Sequence, residues 1–178
     1  MNAEPFILTQ SGRRIYVREP ALNAEIHLED IAFALARISR FGGHAAPAYS
    51  VASHSLMVAD LVSPAFRKDA LMHDAIEAIL GDVVSPLKSC LPHYVELERA
   101  WMRTMSARWG VHYGGLAVRD ADAEALGVEF RDLFPPTADV DTSLAPLGVT
   151  VAKYRGRPAS VGAWWLAEAR RLGVPEIA

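Results

Sequence analysis

Cysteine is almost missing from this chain: Cys90 stands alone among 178 residues. One cysteine closes no disulfide within the chain and builds no cysteine-rich zinc site. Its scarcity fits a reducing compartment. A dominant charge is missing too, with 18 Lys and Arg against 21 Asp and Glu mixed along the chain. Without a basic block or basic amphipathic stripe, neither nucleic acid nor an anionic membrane is expected as a partner. A nucleotide-sized anion is still compatible, through a few local Arg, Lys or metal contacts. No apolar run approaches the ~20 residues of a spanning helix. The opening MNAEPFILTQSG has no basic stretch leading into an apolar one, so the expectation is a cytoplasmic protein. What is present is ordinary: 51% apolar and 22% charged residues. That composition suits one soluble domain over residues 1–178, with a core that needs no staples.

Residues 6–17, FILTQSGRRIYV, hold two short β-prone runs around Ser11-Gly12 and predict a hairpin. A lone hairpin is marginal and must pack on something else. Helical patterns dominate afterwards. Ile31, Leu35 and Ile38 recur at helical spacing behind Glu29-Asp30, and Gly42-Gly43 breaks the pattern. A second helix is expected from Ser50 to about Val62. A third opens at Ser63-Pro64, where Ser caps and Pro is tolerated, and runs unbroken to Gly81. Asp82 to Pro92 reads as a connection. A fourth helix covers 93–109, and a fifth runs from Leu116 to Phe134. Residues 135–158 lack periodicity and read as a long, functional or mobile loop. Ser160 to Leu172 closes the chain as an amphipathic helix.

The dipeptide His73-Asp74 is close to a chance event in a chain with 6 histidines. Its setting strengthens it. The pair lies inside the apolar run LMHDAIEAIL, where buried polar groups without partners are costly. Glu77, three and four residues on, shares its helical face. Three ionisable groups on one apolar helix call for water or a shared cation. His54, inside SVASHSLMVADL, is the natural partner, although alone it would read as a hydrogen-bonded core residue. Asp122 on the fifth helix closes the set. Asp120 competes, but a two-residue step turns it roughly 200° away. Two imidazoles and two carboxylates form a mixed N/O site suited to Mn, Fe, Co, Ni or Mg with open positions. Such a cation lowers the pKa of bound water and polarises a phosphoryl oxygen. A carboxylate outside the ligand set then orients water or donates a proton, and Glu77 and Asp82 are the candidates.

His54, then His73-Asp74, then Asp122 resembles the H…HD…D signature of the HD-domain phosphohydrolases. The stretch 73–82, HDAIEAILGD, followed by Ser85-Pro86-Leu87-Lys88, is similar to the bacterial 5′-deoxynucleotidase branch and its small phage relatives that hydrolyse deoxynucleoside triphosphates. The resemblance runs from the SGRRIYV hairpin to about Asp132. It implies an all-α helical bundle with the metal between helices, here carrying a small N-terminal β-hairpin. It further implies that Glu77 and Asp82 assist the attacking water, and that Arg40-Phe41 contacts the nucleotide. One departure is Ser53, where the nucleotidase branch carries an acidic residue before the first motif histidine.

Other candidates keep two readings each. Arg40 is either a helix C-terminal cation offsetting the macrodipole or a phosphate ligand. Phe41 is core or a base-stacking platform. Lys88 is a solvated loop charge or a phosphate contact. His44, beside two glycines that let backbone approach a ligand, lines the pocket or sits exposed. His27, His93 and His112 have no ligand-like company. The four tryptophans read as core or subunit contacts, and a homo-oligomer is expected. Two functions remain open: hydrolysis of deoxyribonucleotide mono- or triphosphates, and a catalytically silent nucleotide sensor or oligomeric scaffold. Keeping both Glu77 and Asp82 argues for the enzyme. HDxxED, GYP and further histidine motifs of other HD chemistries are missing.

Overall fold

The structure, a computed structural model, describes residues 4–177 and is mostly helical with one small hairpin. Strands β1 (Phe6–Leu8) and β2 (Arg14–Tyr16) pair antiparallel with Ile7 opposite Ile15. The hairpin is moored as its short length demands. Ile15 enters the core. The Ser11 hydroxyl donates to the Asp30 carboxylate at 2.6 Å, and the Trp101 indole donates to the Val17 carbonyl at 2.8 Å.

Eight helices follow: α1 (Leu28–Leu35), α2 (Val51–Leu61), α3 (Arg67–Met72), α4 (Glu77–Leu80), α5 (Ser85–Lys88), α6 (Pro92–Trp109), α7 (Leu116–Leu133) and α8 (Pro158–Arg171). Helix α2 is the axis of the bundle, buried from Val51 to Ala59 and packed against α3, α7 and α8. A helix apolar all round belongs in such a position. Ser50 caps it, its side chain accepting from the Ser53 N–H at 3.2 Å. Trp101, Met105, Trp109 and Trp165 are fully buried, while Trp164 stays half-exposed and stacks on Tyr154 with ring centroids 5.9 Å apart. Helices α1 and α8 meet closely at Gly162, where an added Cβ would stand 3.2 Å from the Ala32 carbonyl oxygen. No helix among the described residues is long and apolar enough to cross a membrane.

Three expectations need correcting. Ile38 does not continue α1, because the chain turns away and the Ile38 carbonyl accepts from the Val51 N–H at 3.0 Å. The third helix is not continuous from 63 to 81. Pro64–Phe66 is a 3-10 turn, α3 ends at Met72, and α4 starts at Glu77. Between them the chain is wound tighter: Ala75 donates to Met72 at 3.0 Å and Glu77 to Asp74 at 3.0 Å, both three residues back. Finally, the expected connection 82–92 contains α5, with Pro86 in its first turn. The long segment after α7 is irregular except for a 3-10 turn at Val151–Lys153, and α8 starts at Pro158, earlier than expected. This segment crosses α7 at Gly127, where a Cβ would meet the Ala145 nitrogen at 3.0 Å.

Candidate metal centre

Three helical elements bring the predicted ligands together. His54 comes from the buried middle of α2, His73 and Asp74 from the tightened turn after α3, and Asp122 from α7. Ligand atoms of His54, His73 and Asp74 lie within 4.8 Å of one another. Asp122 closes the cluster, its Oδ1 3.0 Å from His54 Nε2 and 4.0 Å from His73 Nε2. Asp74 Oδ2 lies 3.2 Å from His73 Nε2 and 3.7 Å from His54 Nε2. Asp120 faces solvent, as the helical turn requires.

The far side of each ring is committed. His54 Nδ1 donates to Glu129 Oε1 at 2.7 Å, and His73 Nδ1 donates to the Ala70 carbonyl at 2.7 Å. With their protons held there, the two Nε2 atoms face each other at 3.3 Å with lone pairs toward the same point. Positive charge is therefore wanted between them. Burial opposes a charged His54 ring, yet the Glu129 and Asp122 carboxylates outweigh it and push its pKa up to about 10. Burial also works against ionised Asp74, but His73, His54 and Arg40 hold its carboxyl well below the usual range. A proton or a cation satisfies this point, and the N/O donor set fits a divalent metal.

Glu129, fully buried on α7, was missed by sequence reasoning. Besides His54, it accepts from Arg40 Nε at 3.0 Å and Nη2 at 2.9 Å. The available signal was its place seven residues after Asp122, two turns along the same face. Ser53, which replaces an acidic residue in the resemblance, turns instead to Ser50 at 2.9 Å. The carboxylate behind His54 thus comes from α7.

A cavity of about 590 Å³ opens beside the cluster, lined by Asp74 and Asp122 on one side. Glu77 and Asp82 line it too. Burial, then the Asp74 and Asp82 carboxylates, push Glu77 up to about 10, and its Oε2 has no hydrogen-bond partner. Burial also raises Asp82. Arg40 lines the cavity but is no helix C-terminal cation: α1 ended at Leu35, and the guanidinium is buried against Glu129 with Nη1 3.7 Å from Asp74. Phe41 both packs on the core and lines the cavity. Its backbone is left-handed (φ 57, ψ 30), a strain of about 1–3 kcal/mol held by ring contacts to Phe130 and Phe134 at 5.7 and 5.0 Å. His44 is exposed on the rim. Lys88 is no solvated loop charge; it sits on α5 and donates to Glu98 Oε1 at 2.7 Å.

His93 and His112 are exposed. His27, read as isolated, has Glu29 and Glu176 beside it. Both of those carboxylates are paired with Arg170, and Glu176 also accepts the Leu28 N–H at 3.0 Å.

No family model matches the chain. It is 38% identical over 129 residues, 72% of each chain, to the uncharacterized protein YfdR of Escherichia coli (strain K12). It is 39% identical over 111 residues to an uncharacterized protein of Rhodobacter capsulatus, 57% of this chain and 56% of that one. The chain belongs to the same family as the Escherichia coli protein.

Proposed function

We propose that this chain is a metal-dependent phosphohydrolase of the HD superfamily that acts on deoxyribonucleotides by attack of water on phosphorus. One observation carries the reading: two histidines with Nδ1 protons tied back, their Nε2 atoms 3.3 Å apart, ringed by Asp74 and Asp122 at the wall of a nucleotide-sized cavity. The H…HD…D order of these ligands supports it. A divalent cation held by His54, His73, Asp74 and Asp122 would activate water and polarise a phosphoryl oxygen.

The chain's own residues divide the remaining work. Glu77 favours its protonated form among neighbouring carboxylates, which suits a proton donor to the leaving oxygen. Asp82 orients the water. Arg40 turns Nη1 toward Asp74 and the cavity, where it meets a phosphate oxygen. Phe41, Phe130 and Phe134 form the apolar end that takes the base, while Lys88 and His44 edge the opening.

The charge distribution favours a monophosphate over a triphosphate. Four carboxylates line the cavity, Arg40 is already paired to Glu129, and Lys88 to Glu98. Little free positive charge remains for a long polyphosphate. The test is product release from deoxynucleoside mono- and triphosphates with Mn, Co, Fe, Ni or Mg, separating phosphate from triphosphate. Phosphate from monophosphates is expected. Absence of turnover with every metal, in protein carrying metal, refutes the enzyme and leaves a silent sensor.

A further inference from the structure

We propose that the cleft between α6 and the 110–113 segment is a second ligand site, which takes a small phosphate-bearing anion with an organic body. The cleft has a volume of about 450 Å³ and shares no lining residue with the metal cavity. Small-molecule sites occupy roughly 300–1,000 Å³. One wall is a single face of α6, where Arg99, Met102, Arg103 and Ser106 recur at helical spacing; the other is His112 and Tyr113. No carboxylate lines it, in a chain of net charge −3.

Arg99 and Arg103 stand one helical turn apart and repel each other. Neither has a carboxylate within 4.0 Å among the described residues. Guanidinium forks in this arrangement match the geometry of phosphate oxygens, which they bind bidentately. His112, exposed at the edge, offers a further nitrogen. Met102 and the Tyr113 ring supply apolar wall for a sugar or base. The Tyr113 hydroxyl itself is buried beneath the wall, so the ring, not the oxygen, faces a ligand. The segment is fixed in place, because the His112 N–H donates to Asp69 Oδ1 on α3 at 2.9 Å. The site is therefore preformed.

The test is calorimetric titration of the full chain with deoxyadenosine monophosphate, inorganic phosphate and deoxyadenosine, comparing wild type, Asp74→Ala and the double variant Arg99→Ala/Arg103→Ala. Both arginines are exposed, and a matching thermal melt checks that the double variant is folded. A saturable phosphate-dependent phase that persists in Asp74→Ala and weakens at least tenfold in the double variant is expected. If deoxyadenosine monophosphate binds more tightly than inorganic phosphate, the cleft reads the organic body as well. Identical titrations of wild type and double variant would overturn the proposal. Equal binding of deoxyadenosine, which lacks phosphate, would overturn it too.

Discussion

Substituting Glu129 by Gln should weaken metal binding without removing any metal ligand. Glu129 accepts three hydrogen bonds: from His54 at 2.7 Å and from Arg40 at 3.0 and 2.9 Å. A carboxylate accepts at both ends, but an amide accepts at one end only. If the Gln carbonyl faces His54, its NH2 confronts the donors of Arg40, and the guanidinium must leave. If the carbonyl faces Arg40, the NH2 donates to His54 Nδ1 and forces the ring proton onto Nε2, the atom that should bind metal. Either way the charge that steadies His54 is gone. Loss of such an outer carboxylate costs about 10- to 100-fold in metal affinity. Breaking a buried ion pair costs about 3–5 kcal/mol; here the lower end applies, because Arg40 keeps Asp74 at 3.7 Å and touches the cavity. The assay is Mn affinity by chelator competition, with circular dichroism to verify the fold. Glu129→Asp, which keeps the charge, should lose less than the Gln variant. Unchanged Mn affinity in a folded Glu129→Gln protein would refute the role assigned to the carboxylate.

Asp74→Ala should lose metal and turnover together, whereas Glu77→Ala should keep metal and lose rate; equal metal loss, measured by elemental analysis, would undo the division between ligand and proton donor. Metal affinity should rise with pH, by up to about tenfold per unit between pH 7 and the His54 pKa of about 10. The sign follows because the metal-free ring is protonated below that value and must release its proton to bind a cation; a flat pH profile of Mn affinity contradicts it. Gly127→Ala should lower the melting temperature, since its Cβ would stand 3.0 Å from the Ala145 nitrogen and overpacking costs about 1–3 kcal/mol. Mn at a hundredfold over Kd should stabilise the protein by about 2.7 kcal/mol, an effect that a thermal melt reads and a chelator reverses.

How much was legible depended on whether local pattern or distant packing set the feature. The helix around His54 could be read because small and apolar residues make up most of it, and its Ser50 cap is where a capping residue should stand. Helical rotation allowed only one of Asp120 and Asp122 to face the site, and the structure places Asp122 there. The paired cations were less accessible. Arg40 read as either a phosphate ligand or a helix-end charge, and only packing against α7 shows it held by a residue 89 positions away. Lys88 read as a solvated loop charge or a phosphate contact because α5 was not expected, and its partner Glu98 sits on the following helix. Glu129 offered one signal, its place two turns after Asp122 on the same face, but nothing local distinguishes a buried glutamate from an exposed one on a mixed helix.

The turn at His73–Ile76 was hidden differently, since the pattern identified the residues correctly but not their winding. Apolar spacing in LMHDAIEAIL is compatible with an unbroken α-helix, and Glu77 on that assumption shares a face with His73. The observed bonds reach three residues back. In such a winding, side chains three apart eclipse, and each residue rises about 2.0 Å. Such winding turns Asp74 and Glu77 toward one line, and both line the cavity. His73 is rotated away from that line, toward His54. A regular helix would splay Asp74 and Glu77 by the remainder of an incomplete turn. The tighter winding separates a pair for the metal from a pair for the cavity, with Asp74 belonging to both.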